Sequence, residues 1–218
     1  MTNTERQPLD TPRIHYMNAS GMRGKINDFY AALSADCYDI VVVTETWLLP
    51  DHTNSEIAPD SWSVFRRDRY HDSSDTRVGG GMMKAARNTL RPVLVSSVSN
   101  QTELVWVITT LKDRSIFIGA AYIPPGAETS TYEACCNETD LSLSSMRQTD
   151  DAIFLGDFNI PGISWVEDTD LPGTFIPVDL SSQAEILVDR LFTQGFIQAN
   201  QCSNDFGNVL DLCFFIIF

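Results

Sequence analysis

The segment Ile40-Val41-Val42-Val43-Thr44 runs through four aliphatic β-branched residues with no polar alternation until its end. A strand with one face in water alternates polar and apolar side chains. This one does not, and reads as a central strand buried on both faces. Ala152-Ile153-Phe154-Leu155 is a second run of the same kind. Each run ends on a carboxylate, Glu45 after the first and Asp157, by way of Gly156, after the second.

The rest of the chain supplies further strands and a few helices. Arg13 to Asn18 and Trp62 to Phe65 read as strands, and Gly79-Gly80-Gly81 leads into another at Met82 to Ala86. Val93 to Val98, Leu104 to Leu111 and Ser115 to Tyr122 form an antiparallel series, with Asp113 in the last turn and Pro124-Pro125-Gly126 closing it. Lys25 to Leu33 has helical spacing through Ile26, Phe29, Tyr30 and Leu33, and Ser182 to Thr193 through Ile186, Leu187, Leu191 and Phe192. Ser130 to Arg147 reads as a polar helical crossing. Residues 160–180, with Pro161, Gly162, Pro172, Gly173 and Pro177, read as a long surface loop, and Val209 to Phe215 as a last strand. Helices separating groups of strands suggest two sheets packed together with helices outside. Residues 1–12 read as a disordered lead and 13–218 as one domain.

Composition permits such a domain: 218 residues, 43% hydrophobic and 20% charged, are enough for a sizeable core. The formal net charge of -14 argues against a protein that grips polyanions over its whole surface. It leaves room for a local basic face. Between Arg66 and Arg91, seven bases (Arg66, Arg67, Arg69, Arg77, Lys84, Arg87 and Arg91) stand against Asp68, Asp72 and Asp75. They read as a basic rim or as an ordinary charged surface. Cys37, Cys135, Cys136, Cys202 and Cys213 have no metal-ligand spacing and read as free thiols of a reducing, intracellular compartment. The N-terminus lacks the apolar core of a signal peptide, and no apolar stretch approaches the roughly 20 residues of a membrane span.

Two carboxylates at the mouths of buried strands repel each other if they converge, and a divalent cation relieves that repulsion. Hard oxygen donors of this kind suit Mg²⁺ or Mn²⁺. Each acid taken alone also reads as a solvated strand end. In Gly156-Asp157-Phe158-Asn159 an extended chain would aim Asp157 and Asn159 into one cleft, an acid to activate water and an amide to steady it. An Asx-type turn is the competing reading.

Taken in order, Tyr16-Met17-Asn18, Thr44-Glu45-Thr46-Trp47-Leu48, Gly79-Gly80-Gly81, Tyr122-Ile123-Pro124-Pro125, Gly156-Asp157-Phe158-Asn159 and Leu210-Asp211-Leu212 resemble the endonuclease domain of non-LTR (LINE-type) retrotransposons. That domain belongs to the endonuclease/exonuclease/phosphatase superfamily. The resemblance runs from about Arg13 to Phe215. It implies an α/β (α+β) four-layered sandwich of two mixed, mainly antiparallel β-sheets flanked by helices. It also implies metal-dependent phosphodiester hydrolysis, most specifically DNA nicking with Mg²⁺ or Mn²⁺. By resemblance, Glu45 and Asn18 would hold the metal, Tyr122 would bond the scissile phosphate, Asp157 would activate water and Asn159 would steady it. Asp211 would orient a histidine, and Arg69 sits where the family often carries an arginine; apart from the resemblance, the basic stretch suggests that Arg69, Arg67 and Lys84 meet the substrate.

The resemblance also implies a Ser-Asp-His segment beyond Asp211, whereas the only histidines are His15, His52 and His71. The C-terminal strands are therefore expected to be missing and the activity impaired. In a full-length element a reverse transcriptase domain would follow. No membrane and no obligate protein partner is expected. An inositol or lipid phosphate phosphodiesterase of the same superfamily is the alternative, as is a catalytically dead remnant that serves as a binding module.

Overall fold

The structure is a computed structural model that describes residues 11–35, 37–69, 79–95, 102–112, 114–160 and 162–216. Residues 1–10 of the expected lead, His71, Asp72, Asp75, Arg77, Ser96 to Val98, Asp113, Pro161 and the last two residues lie outside the described residues.

Twelve strands and four α-helices follow one another as β1 (Ile14–Asn18), α1 (Ile26–Ser34), β2 (Ile40–Thr44), α2 (Asn54–Ile57), β3 (Trp62–Arg67), β4 (Met82–Arg87), β5 (Val93–Val95), β6 (Glu103–Leu111), β7 (Arg114–Tyr122), α3 (Thr129–Leu143), β8 (Asp151–Asp157), β9 (Ser164–Glu167), β10 (Phe175–Asp179), α4 (Ser182–Thr193), β11 (Ile197–Gln198) and β12 (Asp211–Ile216) among the described residues. The strands form two mixed sheets, ordered β1-β2-β4-β3 and β5-β6-β7-β8-β12-β11-β10-β9. Among the described residues only β1–β2 and β7–β8 pair in parallel. The other pairings are antiparallel.

The period-2 alternation of each strand divides its side chains between two interfaces. Ile40 and Val42 of β2, with Met82 and Ala86 of β4, face the larger sheet and meet Val105, Val107, Ile118, Ala120 and Leu155. Val41, Val43, Met83 and Ala85 face the other way, onto Phe29 and Leu33 of α1. On the far side of the larger sheet, Phe117, Ala152 and Phe154 pack against Cys135 and Cys136 of α3 and Leu187 and Leu191 of α4. The result is four layers, helix, sheet, sheet, helix, as the two doubly buried runs require. Every residue of β2 is buried.

Residues 160–180 depart from the expected loop. They carry β9 and β10, a hairpin on the edge of the larger sheet, whose turn holds Pro172 and Gly173. Trp165 and Phe175 pin the hairpin to the core. Pro177, which removes a ladder donor, sits where the β9–β10 register shifts. The prolines and glycines therefore mark a turn and a bulge, and two buried aromatics supply the strand signal. No helix among the described residues is long and apolar enough to cross a membrane. All five cysteines are unbridged.

Candidate active site

Parallel pairing decides where the chemistry gathers. β1 and β2 run side by side and end at Asn18 and Thr44, with Glu45 following. β7 and β8 also run side by side, and their last residues, Tyr122 and Asp157, are register partners. β12 enters antiparallel to β8, so its first residue, Asp211, lies opposite Asp157. Asn18, Glu45, Tyr122, Asp157 and Asp211 are thus delivered to the same end of the sandwich by five strands.

The two sheets are joined there by side chains of β1. Asn18 Nδ2 donates to Asp157 Oδ2 at 3.0 Å. Tyr16, two residues earlier on the same face, donates to Asp211 and lies 3.0 Å from the Thr44 hydroxyl. Asp157 is 7% exposed, and burial, the adjacent Asp211 and Glu45 push its carboxyl up to about 7. Burial also raises Asp211, against the lowering effect of Tyr16.

Glu45 stands on a left-handed backbone, with φ 54. The turn is tied on both sides. Gly21 N donates to Glu45 O at 2.8 Å, while Thr46 N and Trp47 N donate to Gly81 O and Gly80 O at 3.1 and 3.0 Å. The Glu45 carboxylate accepts from Trp47 Nε1, from Gly80 N at 2.9 Å and from the Tyr122 hydroxyl. These donors, with the charge of Arg69, hold its carboxyl below the usual range although burial acts the other way. The Tyr122 hydroxyl is raised by burial and by Glu45. Gly80 and Gly81 have φ +77 and +78, and a Cβ on Gly80 would meet Arg69 Cζ at 2.2 Å. Only glycine lets this turn approach Glu45 and Arg69 together.

Asn18, Glu45 and Tyr122, with Trp47, Arg69 and Glu103 among others, line a cleft of about 800 Å³; Asp157 and Asp211 do not line it and lie behind Asn18 and Tyr16, which bond them. Asn159 enters the site differently from the expectation. Its backbone leaves the extended region (φ 46), its amide N–H closes a turn onto Asp157 Oδ1 at 3.2 Å, and its side chain donates to Ile123 O at 3.0 Å as well as to Asp157. The Asx-type turn and the acid–amide pair are the same structure.

The sequence matches no protein-family model and no curated protein. Solved structures do match. The endonuclease domain of TRAS1, a telomere-specific non-LTR retrotransposon, aligns with a TM-score of 0.58 at 13% identity over 94% of this chain and 84% of that one. The AP endonuclease LMAP from Leishmania major aligns at 0.62 and 11%, over 94% and 78%. An endonuclease/exonuclease/phosphatase family protein from Leptotrichia buccalis aligns at 0.51 and 11%, over 94% and 88%. The chain has the endonuclease/exonuclease/phosphatase fold.

Among the described residues the bases between Arg66 and Arg91 do not gather at the cleft, apart from Arg69. Lys84 alternates with Met83 and Ala85, which puts it beside Met82 and Ala86 on the face between the sheets. It is fully buried, and its amine donates to Val105 O at 3.2 Å and to Ile118 O. Lys84 therefore cannot meet a substrate at the cleft. Burial pushes its amine well below its ordinary value. Arg66 pairs with Asp68, and Arg87 lies over Trp62 with its Cζ 4.6 Å from the ring centroid. Arg67 ends β3 half-buried and does not line the cleft, whereas Arg69 does. Of the described histidines, His15 stacks on Tyr38 at 4.6 Å and His52 lies beside Asp51 and Leu49. Neither lines the cleft.

A divalent cation fits the donor chemistry of the site. Burial first, and then the charges of Asp211 and Glu45, push the Asp157 carboxyl up to about 7. That is the imbalance a cation relieves. The donors are hard oxygens, without the sulfur or imidazole that would favour a softer metal. Among the described residues no group of three or more Asp, Glu, His or Cys side chains is placed to hold a metal ion by itself. The side chains that would supply oxygen are Glu45, Asp157 and the amide of Asn18.

Proposed function

We propose that this chain is a metal-dependent phosphodiesterase that nicks DNA, in the manner of the endonuclease domain of a non-LTR retrotransposon. The observation that carries the reading is the convergence of Asn18, Glu45, Tyr122, Asp157 and Asp211 from five strand ends at one end of the sandwich, where Asn18, Glu45 and Tyr122 line a cleft and Asn18 bonds Asp157 behind it. The structural neighbours support it at the level of fold, and the TRAS1 domain and the AP endonuclease are named as nucleases. The six-motif resemblance supports the retrotransposon branch.

In this reading Asp157 takes the proton of the attacking water, and a carboxyl pushed up to about 7 is matched to that task near neutral pH. Asn18 holds Asp157 in place by the 3.0 Å hydrogen bond. The hydroxyl of Tyr122 leaves Glu45 to donate to a non-bridging oxygen of the phosphate, and Arg69 adds positive charge beside it. Glu45, with Asn18, would hold Mg²⁺ or Mn²⁺, which supplies charge neutralisation at the phosphate and the leaving oxyanion when bound. Asn159 fixes the Asp157 rotamer through its N–H and amide.

A second reading, a catalytically silent module that binds a cation and DNA, is favoured by one observation. The carboxylate of Asp211 is engaged by Tyr16. Plasmid nicking in Mg²⁺ tests the two together. Relaxed circles that vanish in both Glu45→Gln and Asp157→Asn support the phosphodiesterase. Mg²⁺-dependent DNA binding without strand breaks supports the silent module. Phosphate release from inositol phosphates, with plasmid untouched, would move the substrate to the inositol or lipid branch.

A further inference from the structure

One wall of the cleft carries a carboxylate that belongs to none of the sequence motifs. Glu103 opens β6 directly opposite Tyr122 in the β6–β7 register. Its side chain is 15% exposed and has two partners. Oε1 accepts from Arg69 Nε at 2.5 Å, and Oε2 accepts from Gly81 N at 2.5 Å.

Both partners lead back to Glu45. Gly81 follows Gly80, whose N–H donates to Glu45 Oε2 at 2.9 Å. Arg69 lies over the Tyr122 ring, its Cζ 5.3 Å from the centroid, and the Tyr122 hydroxyl bonds Glu45. Glu103 thereby braces two of the three donors that orient the Glu45 carboxylate. It also detains Arg69. The charge of that guanidinium already reaches Glu45, which also lines the cleft. An arginine paired there would occupy the oxygens a cation needs.

We propose that Glu103 is a positioning residue that holds the glycine turn and Arg69 so that Glu45 stays open to a divalent cation. The proposal rests on the cation-dependent reading above and concerns the same cleft. Outer partners that orient a metal ligand typically change metal affinity or activity by about 10- to 100-fold when removed.

The test measures Mn²⁺ affinity by water-proton relaxation, alongside plasmid nicking, in the wild type, Glu103→Ala, Glu103→Gln, Glu45→Gln and Glu103→Ala/Arg69→Ala. Thermal melts without metal control for folding. Glu103→Ala is expected to weaken Mn²⁺ by about 10- to 100-fold. Glu103→Gln, which keeps one acceptor, is expected to recover part of the affinity. The double variant is expected to recover more than Glu103→Ala, because the competing guanidinium is gone. Wild-type affinity in Glu103→Ala would overturn the proposal, as would a double variant weaker than Glu103→Ala. A wild type that binds Mn²⁺ through Glu45 but leaves DNA intact sinks the nuclease reading alone, and the affinities still decide the role of Glu103. Affinity indifferent to Glu45→Gln overturns both.

Discussion

Asp157 and Asp211 face each other across β8 and β12, and β1 answers them with two donors of its own, Asn18 to the first and Tyr16 to the second. Like charges directly opposite on neighbouring strands are destabilising. The pair persists because each acid is hydrogen-bonded and because Asp157 retains its proton up to about pH 7.

That retained proton predicts the pH dependence of stability without metal. An unfolded Asp titrates at about 3.9. Between there and about 7 the folded chain binds more protons at Asp157 than the unfolded chain does. This contribution is therefore fully present at low pH and is lost as pH rises to about 7, at up to about 1.4 kcal/mol per pH unit. Urea unfolding of wild type and Asp157→Asn at pH 4.5, 5.5 and 6.5 checks it. The difference in stability between them should change across that range, and parallel curves would refute the assignment.

Tyr122→Phe removes the hydroxyl while keeping the ring beneath Arg69. Loss of one preorganised donor to a developing oxyanion costs on the order of 10²–10³ in rate. We expect nicking by Tyr122→Phe to fall by that factor even where Mg²⁺ saturates the site, so that the donor Glu45 loses with the hydroxyl does not enter the comparison. Single-turnover nicking at saturating Mg²⁺ makes the comparison, and an unchanged rate would remove Tyr122 from the chemistry.

Lys84→Met separates the core from the cleft. The folded amine is depressed by burial, so between its folded pKa and about 10.5 the unfolded chain binds the additional proton. Wild-type stability should therefore rise with pH through the alkaline range, and Lys84→Met should lack that component. Nicking should be unaltered. A folded Lys84→Met that binds DNA less tightly would return the residue to the substrate surface.

Much of this architecture was legible from the residues. The runs at Ile40 and Ala152 demanded cover on both faces, and their terminal acids marked the mouth of the site. Three things were not legible. The β9–β10 hairpin hid behind Pro172, Gly173 and Pro177, which signal a turn and a bulge as readily as a loop. Lys84 was counted by its charge, although its alternation with Met83 and Ala85 already assigned it to the face between the sheets. Glu103 carried no motif. Its importance comes from the register that sets it beside Tyr122 and from contacts with residues 22 and 34 positions away. The short β6 signal begins one residue too late, at Leu104, to draw attention to it.

Tyr16 gives the last prediction, because it couples the smaller sheet to the acid pair of the larger one. Tyr16→Phe keeps the ring and deletes the hydroxyl that donates to Asp211 and contacts Thr44. Stranding a buried acceptor costs about 1–3 kcal/mol, whereas replacing both partners together can be nearly neutral. Tyr16→Phe and Asp211→Asn should each destabilise the fold, and the double variant by less than their sum. Urea unfolding at pH 7 of the four proteins closes this cycle. Additive losses would mean that the contact between Tyr16 and Asp211 carries no coupling energy. β1 would then hold the acid pair through Asn18 alone.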